Sequence, residues 1–116
     1  MLLSVENWHT RRAFGDEGAV ETIARAGFDG IDYSFNDMFD WDETVLAPGA
    51  AGRAEKLRLC AEKNGVRFIQ AHAPFHFLYG MEMSESEREF YSIVRAMEHA
   101  SWLGVPVIVG HGIDGP

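Results

Sequence analysis

Two histidines stand where apolar, strand-forming runs turn polar. Val66–Phe75 reads VRFIQAHAPF and breaks its apolar run at His72, just before Pro74. Val105–Gly112 reads VPVIVGHG and does the same at His111. A neutral imidazole binds divalent transition metals, and near neutral pH it also polarises a hydroxyl or a carbonyl. A third polar group, Asp32, lies inside the alternating run GIDYSF (Gly30–Phe35) and could bind substrate hydroxyls or act beside a metal. Against these readings stand a structural histidine at a strand end and an acid that caps the following loop.

Weaker candidates surround them. His76 follows His72 by four residues, but Pro74 breaks any helix between them, so the spacing lacks the geometry of a helical His pair. Glu6 and His9 follow the first apolar run. His99 is out of phase with Met97 and Ala100 on its helix and is expected in solvent. Cys60 falls on an apolar helical stripe and is expected to pack, since free cysteine behaves as a small hydrophobe. Apolar residues crowd the segments after the second and third strands: Met38, Phe39 and Trp41, then Phe75, Phe77, Leu78, Tyr79, Met81 and Met83. They wall a pocket, cover a subunit contact or form a satellite cluster. On the first reading, Phe75 joins Asp32, His72 and His111 as a substrate-binding candidate.

The elements that carry these residues repeat. Met1–Val5 reads as a strand, and polar Glu6–Gly15 leads to Asp16, an N-cap for a helix closed by Gly27. In Gly30–Phe35, Ile31, Tyr33 and Phe35 share one face while Asp32 and Ser34 share the other. Asn36–Gly52 is a long connection. A helix over Arg53–Asn64 carries Ala54, Leu57, Cys60 and Ala61 on one stripe and closes at Gly65, before a strand over Val66–Ala73. Ser84 and Glu87 form a capping box for a third helix. That helix has Phe90, Ile93, Val94, Met97 and Ala100 on its core face and closes at Gly104. A fourth strand, Val105–Gly110, follows. Strict alternation places Phe68, Gln70 and His72 on one face of the third strand, with Ile69 and Ala71 on the other.

The closing glycines lie 38 and 39 positions apart, with short αβ and long βα connections. That is the rhythm of right-handed βαβ units in a parallel sheet. Neither a dinucleotide-binding nor a phosphate-cradling glycine motif occurs. The fold class is α/β, built of parallel (β/α) units: four strands and three helices, the N-terminal half of a TIM barrel. A whole barrel takes roughly 250 residues, so residues 1–116 are expected to be a partial barrel domain (strands one to four) with its C-terminal half absent. Such a piece exposes two sheet edges and an uncovered face, which favours self-association. A flavodoxin-like module is the rival architecture.

Composition narrows the function classes. Asp and Glu outnumber Lys and Arg by 18 to 10, for a net charge of −8. That field repels phosphate backbones and argues against nucleic acid as a partner. The lone cysteine forms no internal disulfide, no apolar run reaches membrane-span length, and no secretion signal opens the chain, so a cytoplasmic protein with no membrane partner is expected.

Three stretches, GFDGIDYSF, AEKNGVRFIQAHAPF and AMEHASWLGVPVIVGHG, together resemble the xylose-isomerase-like TIM-barrel superfamily. That group includes sugar-phosphate isomerases and epimerases and the apurinic endonucleases of family 2. The resemblance covers nearly the whole chain but only the first four strands of the family barrel. It implies the N-terminal part of a divalent-metal-dependent sugar (phosphate) isomerase or epimerase, using Mn²⁺, Mg²⁺, Co²⁺ or Zn²⁺ in the complete barrel. The partner is then a small sugar or sugar phosphate, with room for a homo-oligomer. In that branch the main metal ligands and the proton-transfer glutamates come from later strands, so the resemblance assigns no catalytic residue here and implies that this chain alone is inactive. Asp32, His72 and His111 would contact substrate. In the endonuclease-like alternative, His72 and His111 would be zinc ligands of a hydrolase. A non-catalytic barrel fragment is the remaining alternative. The acidic charge and the loop aromatics favour the sugar branch.

Overall fold

The computed structural model describes residues 1–35, 45, 47–74 and 83–110. Four strands and three helices alternate: β1 (Ser4–Glu6), α1 (Trp8–Arg25), β2 (Gly30–Ser34), α2 (Ala50–Lys63), β3 (Arg67–His72), α3 (Met83–Trp102) and β4 (Ile108–Val109). The strands form one parallel sheet in the order β1-β2-β3-β4. Each new strand therefore adds beside the last, as in a barrel. A flavodoxin-like sheet reverses its order after the first strands, so that rival is ruled out.

One face of the sheet is covered by helices. Ile31, Tyr33, Phe68 and Ala71 from the strands meet Val20 and Ile23 of α1, Ala54, Leu57 and Ala61 of α2, Ala96 and Ala100 of α3, and Leu103 just after it, in a single buried cluster. The period-two reading of β2 holds: Ile31, Tyr33 and Phe35 are buried there, with Tyr33 set edge-on to Phe35 and Phe68. Gly27, Gly65 and Gly104, the three closing glycines, have φ of 91°, 74° and 77°. That left-handed backbone turns each helix sharply into its next strand and favours glycine.

Two expectations about the strands and helices fail for definable reasons. Strict alternation in β3 is interrupted. Ile31 pairs with Phe68 but Asp32 pairs with Gln70, leaving Ile69 as an extra residue in a β-bulge. Phe68 therefore joins the helix-side core, whereas Ile69 lies against the open face of Gly30, where a Cβ would sit 3.0 Å from Ile69 Cγ2. Gln70 and Ala71 keep their expected faces. The core face of α3 is also not the most apolar one. Phe90, Tyr91, Val94 and Met97 are 61, 55, 36 and 51% exposed, while Ser92, Ala96, His99, Ala100 and Leu103 are buried. The buried stripe is rich in small residues, which let the helix lie close to the sheet and to α2.

Element limits shift as well. The polar segment after β1 is already helical from Trp8, and Gly15 (φ 74°, ψ 179°) breaks α1 just before Asp16. Helix α2 begins at Ala50 rather than Arg53, and Ser84 lies inside α3 rather than ahead of it. The fourth strand shrinks to Ile108–Val109. Among the described residues, no helix is long and apolar enough to cross a membrane.

Candidate functional site

The face of the sheet opposite the helices collects the polar residues. Partners in a parallel ladder point the same way, so the register aligns Glu6, Asp32 and Gln70 in one row and Ser34, His72 and Val109 in the next. Both rows lie toward the C-terminal ends of the strands, where barrel enzymes place their chemistry.

Asp32 is the hub. Its Oδ1 lies 2.9 Å from Nδ1 of His72, and its Oδ2 accepts a hydrogen bond of 2.7 Å from Gln70 Nε2. The Asp32 side chain is 13% exposed and that of His72 29%, so the pair is sheltered yet reachable. The bulge at Ile69 brings Gln70 level with Asp32.

A second set of contacts fixes the adjoining backbone. Asn7, 1% exposed, accepts the Ser34 N–H on its Oδ1 at 3.0 Å, and its own N–H donates to the Asp32 carbonyl at 3.1 Å. Arg11 donates from Nη1 to the Ser34 carbonyl at 2.9 Å, ion-pairs with Asp16 through Nε, and lies over the Tyr33 ring. The Phe35 N–H donates to the His72 carbonyl at 3.0 Å, continuing the β2–β3 ladder past the strand ends. Thus α1 and β3 both hold the end of β2.

Of the residues expected at the site, Asp32 and His72 come together. His111 and Phe75 lie outside the described residues, as do His76, Met38, Phe39, Trp41, Phe77, Leu78, Tyr79 and Met81. Glu6 is exposed and accepts the Trp8 N–H at 3.1 Å, at the start of α1. His9 is exposed beside the Trp8 ring. His99 is not solvated. It is 5% exposed on the helix side of the sheet, among Tyr33, Phe35 and Trp102, and burial lowers its pKa to about 4. Cys60 is half-buried against the core, and burial pushes its thiol pKa up. Asn7, Arg11 and the bulge escaped the sequence reading. The one available signal was a polar Asn directly after a strand, the same cue that marked His72.

Among the described residues, the donors do not make a metal centre. Divalent transition-metal sites use three or four protein donors, and no group of three His, Cys, Asp or Glu residues among the described ones could hold an ion. His72 could contribute one nitrogen at most, because Nδ1 is engaged by Asp32. Both Asp32 oxygens already accept hydrogen bonds. A cavity of about 520 Å³ opens at the other end of the strands, lined by Leu2, Arg58, Glu62, Arg67, Leu103 and Pro106 among others. Its position at the strands' N-terminal ends separates it from the Asp32–His72 pair.

No family model and no curated protein matches the chain. Solved structures do. A xylose isomerase-like TIM barrel/4-hydroxyphenylpyruvate dioxygenase fusion protein superposes with a TM-score of 0.61 at 18% identity, over 95% of this chain and 16% of that one. A D-psicose 3-epimerase, solved in the presence of D-fructose, superposes with a TM-score of 0.60 at 16% identity, over 95% of this chain and 37% of that one. This chain thus spans well under half the length of either. What the chain shares with them is the fold, part of a TIM barrel over four parallel strands and three helices.

Proposed function

We propose that this chain is the N-terminal part of a sugar or sugar phosphate isomerase or epimerase and supplies one wall of its substrate site. The observation that carries this reading is the Asp32–His72 pair, held by Gln70 at the C-terminal strand ends of a fold shared with a D-psicose 3-epimerase. Epimerisation beside a carbonyl requires that a carbon be deprotonated and reprotonated. In this reading the described residues bind and orient: His72 contacts a substrate hydroxyl, and Asp32 holds the imidazole in place. The reaction is proposed to depend on a divalent metal, with ligands outside the described residues.

The test is ketose epimerisation, D-fructose included, by the barrel that contains this chain, with and without His72→Ala. A loss of turnover with a raised KM and retained metal is expected. Unchanged kcat and KM would overturn the reading. Loss of bound zinc on the same substitution would mark an endonuclease-like centre instead.

A further inference from the structure

The hydrogen between Asp32 and His72 has only one place to be. A carboxylate accepts hydrogen bonds and donates none, so in the neutral imidazole the proton of the 2.9 Å contact sits on Nδ1 of His72. The lone pair of that tautomer is then on Nε2, across the ring. The acid is itself held from behind, since Gln70 Nε2 donates to its other oxygen at 2.7 Å. Gln70 reaches that oxygen because the bulge at Ile69 sets it level with Asp32. Three side chains on two neighbouring strands thus form one oriented series on the sheet's open face.

We infer that Asp32 and Gln70 are positioning residues that hold His72 as its Nδ1–H tautomer, making Nε2 the nitrogen that accepts a hydrogen from a polyol hydroxyl. The choice of a hydroxyl rests on the sugar-site reading above; the tautomer rests on geometry alone. Two features favour an uncharged hydroxyl ligand over a cation or an anion. The described residues include no cluster of three metal donors. The chain as a whole carries a net charge of −8, which disfavours an anionic ligand.

The experiment records two-bond ¹⁵N–¹H correlations of the full 116-residue chain with ¹⁵N-labelled histidine. It is run at about pH 8.5, above the ordinary imidazole range, and His72→Gln identifies the signals. The wild type is expected to show His72 as the Nδ1–H form. A hydrogen bond to a charged group is worth about 1.5–3 kcal/mol, so Asp32→Ala should lower the Nδ1–H to Nε2–H ratio about tenfold or more. The near-isosteric Asp32→Asn should shift it the same way, and Gln70→Ala by a smaller factor. A wild-type Nε2–H form would overturn the proposal, whether or not the variants fold. So would a ratio unchanged in Asp32→Ala.

Adding D-fructose separates the two claims. A shift at Nε2 with Nδ1 unmoved supports both. No response from a correctly poised tautomer defeats the sugar reading and leaves the positioning series standing. Selective broadening of Nε2 by Mn²⁺, with no response to D-fructose, would overturn the hydroxyl assignment in favour of a metal ligand.

Discussion

The imidazole of His99 stacks on the ring of Tyr33, with centroids 6.1 Å apart and planes 29° apart, beneath helix α3. Burial favours its neutral form and lowers its pKa from 6.5 to about 4. Asp16 opposes that shift, while Arg11, Arg53 and Arg95 reinforce it. Between those two pKa values the unfolded chain binds the proton that the folded chain refuses. The stabilisation is complete above the unfolded pKa and fades as pH falls through the window between them. The linked loss is about 3 kcal/mol. Urea midpoints measured across that window should fall accordingly, and His99→Gln should flatten the dependence. An equally steep curve for the variant would move the effect to other groups.

Asn7 ties β1 to the end of β2 through its side chain and its backbone. Asn7→Ala removes the acceptor of a buried N–H, a loss of about 1–3 kcal/mol. Chemical denaturation should show that loss. The His72 signals should move with it, because Ser34 is the register partner of His72.

Helix α3 and the turn that closes it make a paired prediction. Leu103 is 1% exposed, whereas Phe90 and Met97 are more than half exposed. Leu103→Ala should cost about 2–5 kcal/mol. Phe90→Gln with Met97→Gln should leave the melting temperature almost unchanged and reduce any self-association seen by light scattering, since an exposed apolar patch favours contacts between molecules. A large loss of stability in the double variant would contradict the placement of that face.

Gly104 ends α3 with φ of 77°, and a Cβ there would lie 3.2 Å from Arg58 Cδ. Gly104→Ala should destabilise by about 1–2 kcal/mol, from left-handed backbone strain. Gly52, inside α2 with no atom within 4 Å of its added Cβ, should instead gain about 0.5–1 kcal/mol as alanine. Thermal melts of the two variants should move in opposite directions.

The sequence made the repeat legible because helix-closing glycines and strand alternation are local signals. Gly27, Gly65 and Gly104 do close the helices, and Asp32 and His72 share the face assigned to them. What escaped depends on packing between elements. Hydrophobicity pointed Phe90 and Met97 inward, yet Ala96 and Ala100 allow the closer approach and take the core. His99 looked solvated because its phase was judged in part against Met97, which faces outward. Asn7 and Arg11 act through contacts to β2 carbonyls and amides, which leave no periodic trace. Half of the expected histidine pair, His72, is placed; His111 lies outside the described residues.

The extra residue at Ile69 makes β3 a matter of parity. Before it, even-numbered positions belong to the core; after it, they belong to the site. With every residue kept and the bulge straightened, strict alternation would turn Phe68 out to the open face beside Gln70 and His72. Deleting Ile69 would instead remove the bulge and leave a regular strand. Phe68 would stay opposite Ile31 and Gln70 would stay opposite Asp32, so Ala71 would keep to the core and the Gln70 amide and His72 imidazole to the open face. A single extra residue thus lets side chains an even number of positions apart, Phe68 and Gln70, serve opposite faces of the sheet.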